Sequence, residues 1–279
     1  MRKIKIKINF KFDKKKTIFT FWEPRKKIPG YLKLCIKTWK KFLPEYEIVI
    51  LDYNNVKDYL GKTLFSLILC KELSLPIQAD AIRVALLKKY GGIWMDVDTI
   101  ITNGEFLEEL KNFELVMLGE EKYKQQNIGF IFASKNSSIM NQWLKEIINK
   151  VKIYKEINLN PNNKKKKVKI KWNYLGNEII DRLTKNVTIK KFFRLDKNKM
   201  NAFPENKYYE NSSLTKIQQY QQFYFQKGEP HSLLNQIKGI ILLHNSWTPF
   251  KYKVMSQKKF LSTNILLSRL LAELLKNYL

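Results

Sequence analysis

The run QADAIRVALLKKYGGIWMDVDT, from Gln78 to Thr99, leaves little freedom in how its part of the chain can fold. Ala79, Ile82, Ala85, Leu86 and Lys89 fall on a helical repeat that is apolar over most of its face, so the first half reads as an amphipathic helix. Gly91 and Gly92 follow where a helix takes glycine at its C-terminus. Ile93-Trp94-Met95 is then too short and too apolar for anything but a buried strand, and it stops at Asp96-Val97-Asp98. Side chains on a strand repeat every two residues, so Asp96 and Asp98 are expected on one face. Two carboxylates projecting together repel each other unless a cation lies between them. A hard divalent ion with oxygen ligands, Mg²⁺ or Mn²⁺, suits such a pair. An Asp-X-Asp alone is a weak signal; the buried strand behind it, and Asp80 and Arg83 on the preceding helix, give it weight.

The same alternation of strand and helix runs through the first third of the chain. Thr17–Trp22 is a β-rich run stopped by Glu23-Pro24, and 31–42 is helical with Leu32, Cys35, Ile36 and Trp39 on one face. Residues 47–52 form a second buried strand, and helices over 55–73 and 77–90 precede the strand that ends at Asp98. This order predicts a parallel, right-handed α/β sheet, which binds ligands at the carboxyl ends of its strands. Trp22, Asp52 and the Asp96/Asp98 pair stand at three such ends and are expected in one crevice. Downstream come strands at 113–118 and 127–133, a helix at 137–150, a short helix at 173–183 and a strand at 187–194. Residues 205–230 read as irregular. An apolar strand, 239–243, delivers His244-Asn245-Ser246-Trp247 to a loop. Residues 2–12 alternate as an extra strand, and 158–171, with its lysine run, reads as a surface loop. The tail, 260–279, reads as an amphipathic helix with Leu267, Leu270, Leu271, Leu274 and Tyr278 on one face, suited to packing on the domain or to a membrane interface.

At 279 residues the chain can bury one sizeable core. A single domain is expected over 1–279: a first half over 1–120 that ends beyond the Asp96–Asp98 strand, a second half over 121–259 and the terminal helix over 260–279. Cys35 and Cys70 have no CxxC or metal spacing and read as reduced core thiols. No secretory h-region follows Met1 and no apolar run is long enough to cross a bilayer, so a cytoplasmic protein is expected, peripheral at the inner face of the plasma membrane. The net charge of +27 is carried almost wholly by lysine amid abundant Asn and Ile. Compositional bias with weak attraction to an anionic leaflet accounts for it best. Nucleic-acid binding ranks last, because arginine is scarce and no recognition motif appears.

The residues Ala79-Asp80-Ala81-Ile82-Arg83 and Lys89-Tyr90-Gly91-Gly92-Ile93-Trp94-Met95-Asp96-Val97-Asp98 resemble the "DXD" sugar-binding region of a family of nucleotide-sugar transferases. That group includes capsular-polysaccharide synthesis enzymes, yeast-type mannosyltransferases and glucosylating bacterial toxins. The resemblance reaches upstream over 17–52 and, more weakly, to His244-Asn245-Ser246-Trp247. It implies a GT-A-type, Rossmann-like mixed sheet flanked by helices, and transfer of a hexose or N-acetylhexosamine from a UDP-sugar with retention of configuration. The acceptor implied is a growing capsular polysaccharide or a lipid-linked oligosaccharide. By the same resemblance Asp98 ligates Mn²⁺ or Mg²⁺, with Asp96 and His244 joining it. Asp96 also contacts ribose, Asp80 the sugar hydroxyls, and Arg83 the donor sugar or phosphate. Trp22 stacks on the base, with Phe21 and Asp52 counted beside it. Ser246 and Trp247 close over the diphosphate, and Asn127 meets the donor sugar or the acceptor. Taken alone, Asp80 and Arg83 make an ordinary i,i+3 helix pair, Trp22 a core aromatic and His244 a structural histidine. Thr20 stands where many relatives carry a histidine, which leaves the base contacts open.

Two other classes fit parts of the sequence. A non-catalytic basic module binding anionic membrane or nucleic acid would explain the charge. A nucleotidyltransferase would use the same aspartates.

Overall fold

Alternation within the strands sets the layers of the molecule. The computed structural model describes residues 16–278 except 111, 121–124, 136, 162–166, 186, 189–190, 198–212 and 236–238. The strand expected over 2–12 lies outside the described residues, as does most of the lysine run. The strands are β1 (Thr17–Phe21), β2 (Glu47–Leu51), β3 (Gly92–Met95), β4 (Thr99–Ile101), β5 (Leu115–Glu120), β6 (Gln125–Ala133), β7 (Phe192–Asp196) and β8 (Ile240–Leu242). Ile18, Ile93, Met95 and Val116 point into one core, while Phe19, Phe21, Trp94, Leu115 and Met117 point into the other. One sheet therefore carries a core on each face, as a doubly covered α/β sheet must.

The helices supply the two covers. On one face lie α1 (Gly30–Phe42) and α5 (Phe106–Leu110), and from later in the chain α8 (Lys216–Phe225), α10 (Phe250–Lys253), α11 (Gln257–Leu261) and α12 (Leu266–Leu274). On the other lie α2 (Val56–Leu60), α3 (Lys62–Ile68), α4 (Leu75–Tyr90), α6 (Ser138–Asn158) and α7 (Asn177–Leu183). A short α9 (His231–Leu234) stands between α8 and β8. Buried tryptophans need a partner for the indole N–H. Trp39 Nε1 donates to the Thr99 carbonyl at 2.7 Å, so α1 is docked on β4; Trp143 Nε1 donates to the Leu175 carbonyl at 2.8 Å.

The sheet order is β2-β1-β3-β6-β5-β7. β1 pairs parallel with β2 and β3, but β6 runs antiparallel to both β3 and β5, so the sheet is mixed, as the resemblance implies, and only its first three strands are parallel as the alternation alone predicts. The cause is local: β5 and β6 are consecutive and pair as antiparallel neighbours, which reverses the chain beside β3. A second, two-stranded sheet pairs β4 with β8, Thr99 opposite Leu242. β4 was not expected, yet it joins the loop after β8 to the Asp96–Asp98 turn.

Four further expectations change. The helix over 55–73 is two helices, broken at Gly61, whose φ of +84° no helix interior accepts. The irregular stretch 205–230 contains α8, where Thr215 and Gln218 cap each other reciprocally and Tyr220 and Tyr224 form a buried i,i+4 pair behind polar neighbours. The strand expected over 187–194 begins only at Phe192. The tail is not one long helix: α11 ends at Leu261 and α12 begins at Leu266. Leu267, Leu270, Leu271 and Leu274 are buried in the core, so that face is spent on packing and is closed to a membrane; Tyr278 is exposed.

Candidate active site

The floor of the site is built where α4 passes beneath the end of β3. Asp80 and Arg83 lie one turn apart on α4, both about 4% exposed. Arg83 ion-pairs with Asp80 at 3.1 Å and with Asp96 at 3.3 Å, donates to the Ile128 carbonyl, and lies 4.9 Å from the Trp94 ring. Trp94 Nε1 donates to Asp96 Oδ1 at 2.8 Å. A buried guanidinium is tolerable only when its charge is paired, and here the two carboxylates do this although the buried Nε finds no hydrogen-bond partner among the described residues. β3 ends at Met95, so Asp96 and Asp98 do not share a strand face. They lie in a turn closed by the Thr99 N–H to the Asp96 carbonyl, 2.9 Å, and the turn rather than strand alternation brings them together. Burial pushes the Asp80 carboxyl up to about 7, with Asp96 adding to the rise and Arg83 opposing it.

The opposite wall arrives from far along the chain. Pairing of β4 with β8 sets Leu243 N–H on the Asp98 carbonyl at 3.0 Å, and one step later the Asn245 N–H donates to Asp98 Oδ2 at 2.8 Å. Tyr31 OH donates to Asn245 Oδ1 at 2.6 Å, and Tyr220 OH accepts from the His244 N–H at 2.9 Å. The His244 ring lies against Trp247, centroids 4.0 Å apart, and meets the edge of Tyr220 at 5.5 Å. Burial and the charge of Asp96 push the Asp98 carboxyl up to about 6, with the Asn245 N–H and His244 pulling it back.

Between floor and wall lies a cavity of about 580 Å³. Phe21, Trp22, Arg83, Asp96, Asp98, Asn127, His244 and Ser246 all line it, so eight of the expected residues share one crevice. Three do not line it. Asp52 closes its own turn, accepting the Asn54 N–H at 2.9 Å and the Asn54 amide at 3.2 Å. Asp80 lies behind Arg83, and Trp247 lies behind His244. Glu23, Asn245 and Trp172 line the cavity unforeseen. Trp172 is 71% exposed in a lysine-rich stretch that composition alone marks as loop. Tyr31 and Tyr220, which hold the wall, carried no sequence signal beyond helical spacing.

Residues 1–237 match the family described as capsular polysaccharide synthesis protein. The chain belongs to that family. This bears out the resemblance to capsular-polysaccharide synthesis enzymes carried by Ala79–Asp98. No protein of curated function matches the sequence with significance. Solved structures with a similar course include the galactosyltransferase LgtC in complex with donor and acceptor sugar analogues, at 11% identity, 85% of this chain, 92% of that one and TM-score 0.44. The glycosyltransferase GlyE of Streptococcus pneumoniae TIGR4 follows at 15% identity, 88% of this chain, 62% of that one and TM-score 0.42. The bifunctional glycosyltransferase WbbM matches at 11% identity, 97% of this chain, 51% of that one and TM-score 0.46.

In this member of the family the Arg83 guanidinium answers Asp80 and Asp96, while Asp98 takes the Asn245 N–H. Burial first, and then the like charge of Asp96, raise the Asp98 carboxyl, and a cation between the two carboxylates would relieve the second of these. Space is kept there too: a Cβ on Gly129 would stand 3.2 Å from Asp96 Oδ2 and 2.9 Å from Asn127 Oδ1. Among the described residues, no three His, Cys, Asp or Glu side chains converge as a ready-made metal cage. Asp96, Asp98 and His244 therefore do not form a complete ligand set by themselves. The donors present fit a small divalent ion of the kind held by one or two carboxylates and completed by substrate phosphates.

Proposed function

We propose that the chain is a metal-dependent, retaining transferase moving a hexose or N-acetylhexosamine from a UDP-sugar to a growing capsular or lipid-linked saccharide. One observation carries this reading: the Asp96–Asp98 turn, Arg83, Trp22 and the His244–Ser246 segment line a single cavity sized for a small ligand. Asp98 and Asp96 would hold Mn²⁺ or Mg²⁺ on its protein side, with His244 at the margin. When bound, such an ion supplies Lewis-acid stabilisation of the departing diphosphate. Trp22, at the end of β1, offers a stacking surface for the base. Arg83 adds fixed positive charge at the cavity floor, and its ties to Asp80 and the Ile128 carbonyl keep it in place without solvent reorganisation. The cavity's three carboxylates are all engaged: Glu23 accepts the Tyr53 N–H at 2.8 Å, Asp96 accepts from Trp94, and Asp98 from Asn245. Among the described residues no further carboxylate lines the cavity, and this reading gives deprotonation of the acceptor to the leaving diphosphate.

The test is donor hydrolysis by a panel of UDP- and other nucleotide-sugars, with Mn²⁺, with Mg²⁺ and with EDTA. Release of UDP that needs the ion is the expected result. Release of pyrophosphate would transfer the aspartates to nucleotidyl chemistry. Polyanion binding without turnover, surviving loss of Asp96 and Asp98, would leave a basic binding module.

A peripheral association with an anionic membrane surface, on the cytoplasmic side, completes the reading. Its support is the net charge of +27 and the exposed pair Phe250 (76%) and Val254 (64%) beside Lys251, just beyond the His244–Trp247 segment. Sedimentation with anionic but not zwitterionic vesicles, reversed by salt, is expected; equal binding to both would remove this part. No described helix is long and apolar enough to cross a membrane.

A further inference from the structure

We infer that Trp172 is a stacking platform for the acceptor saccharide, at the opposite end of the cavity from Trp22. The inference rests on the transferase reading above and names the acceptor side of that same site. Trp172 is among the most exposed large apolar side chains described, at 71%, and it lines the cavity that holds Asp96 and Asp98. Among the described residues its indole makes no hydrogen bond and no ring contact, so packing does not explain it. Leu75, 44% exposed, and Pro76 line the same cavity and extend the apolar rim. Isolated exposed apolar residues are ordinary, but a group of them rimming a polar cavity marks a ligand contact.

The segment presenting the indole is pinned. Lys150 Nζ donates to the Tyr174 carbonyl at 3.0 Å, and Trp143 Nε1 donates to the Leu175 carbonyl at 2.8 Å. Gly176 packs so closely that a Cβ there would stand 2.6 Å from Asp80 Oδ2 and 2.7 Å from Ile128 Cδ1. Asn177 then donates to the Gln126 carbonyl on β6. Trp172 therefore belongs to the β6 side of the site, while Trp22 follows β1, and β3 with Asp96 lies between them in the sheet. A donor with its base at Trp22 and its diphosphate at Asp96–Asp98 leaves the Trp172 end to the group that receives the sugar. A pyranose has an apolar face of axial C–H groups and a rim of hydroxyls. An exposed indole matches the first, and Asn127 on the same side, its Oδ1 accepting the Gly129 N–H at 2.8 Å, offers its Nδ2 for the second.

The test uses the full chain loaded with Mn²⁺ and UDP on an array of bacterial-type mono- to tetrasaccharides, with UDP calorimetry and donor hydrolysis in parallel. Trp172→Ala should weaken glycan binding by roughly ten-fold or more, the scale of one lost aromatic stack. UDP affinity and donor hydrolysis should stay unchanged, and Trp172→Tyr should keep most of the glycan binding. Unchanged glycan binding in Trp172→Ala, a fall in its UDP affinity, or no glycan bound by a wild-type protein that hydrolyses donor would each overturn the assignment. Glycan binding lost in Trp172→Ala, with no donor hydrolysis by the wild type, would support the platform and sink the transferase reading instead.

Discussion

The floor and the far wall of the cavity are assembled by opposite means. Most of the floor comes from one short stretch: Asp80, Arg83, Trp94 and Asp96 all belong to α4, β3 and the turn between β3 and β4, with only the Ile128 carbonyl from elsewhere. The wall depends on residues far apart in sequence, since the hydrogen bond from Asn245 to Asp98 spans 147 positions and that from Tyr31 to Asn245 spans 214. Arg83 has four partners, counting both carboxylates, a carbonyl and the Trp94 ring, so no single opening frees it. Residues 244–246 are tied by hydrogen bonds to Asp98, Tyr31 and Tyr220 and to the backbone of residues 247 and 248, but all three are at least partly exposed, whereas Asp80, Arg83 and Trp94 are buried. Local opening free energies follow such differences. The floor is therefore the fixed part and the wall the part that yields.

The sharpest test of this division removes the residue that belongs to both. Asp98→Ala takes a carboxylate from the proposed cation site and the anchor from Asn245. Loss of charge stabilisation of this kind costs about several kcal/mol in the transition state, so donor hydrolysis should fall by a factor on the order of 100 or more. Asp98→Asn keeps an acceptor for the Asn245 N–H while removing the charge. Equal loss in both variants points to the charge; near-normal turnover in Asp98→Asn would show that anchoring the wall is what matters.

A second test addresses the floor alone, through pH. The Asp80 carboxyl titrates at about 7 in the folded protein against an ordinary 3.8. The folded state therefore binds this proton more tightly than the unfolded state does. The stability it contributes is complete below the ordinary value and is lost as pH rises through about 7. At 1.36 kcal/mol per unit the ceiling is about 4 kcal/mol, and relaxation of the site will reduce it. Asp80→Asn cannot ionise, so its stability relative to wild type should climb between pH 4 and pH 7, read from urea midpoints without divalent ions. A constant difference across that range, or one that shrinks, would show that Arg83 wins over burial at Asp80.

What could be read from the sequence follows the same division. Helical spacing before Gly91 and the apolar triplet before Asp96 are short-range signals, and they located α4, β3 and the aspartates. They misplaced Asp80, because spacing shows that it shares a face with Arg83 but not that Arg83 covers it. Asp52 has a related history: a strand end points toward the crevice, yet the two asparagines after it offer a local turn that its carboxylate closes, and it does not line the cavity. Membership of the wall depends on β4 pairing with β8, a long-range event with no local mark in a three-residue strand. The mixed sheet came only through the resemblance and not from the alternation of elements, since strand direction is set by which neighbours pair. Trp172 and Tyr220 sat in stretches whose polar composition concealed one aromatic each of consequence.

Trp22 separates the base end from both floor and wall. Trp22→Ala should weaken UDP binding by about 1–3 kcal/mol, the worth of one aromatic stack on a base. The dependence on Mn²⁺ should not move, because Trp22 has no part in holding the aspartates. Unchanged affinity by calorimetry would return Trp22 to the apolar cluster it borders.

The smallest change offers the finest test of the wall. Tyr31 is buried on α1 and reaches the site only through its hydroxyl, which donates to Asn245 Oδ1 at 2.6 Å and lies 3.3 Å from Thr248 Oγ1. Its ring packs on Phe260, 5.7 Å between centroids, and Tyr31→Phe leaves that packing in place. Asn245 is partly exposed and can turn its amide to water, so the variant should lose about 0.5–1.5 kcal/mol, the net value of an ordinary hydrogen bond. If the wall is held as described, that loss appears locally: faster amide exchange at Asn245 and Ser246, and none at Trp94 or Ile128. UDP affinity should fall by a similar amount, because a looser wall must be ordered again on binding. Faster exchange at the floor as well would show that the two regions open together, and would remove the distinction between a fixed half and a yielding one.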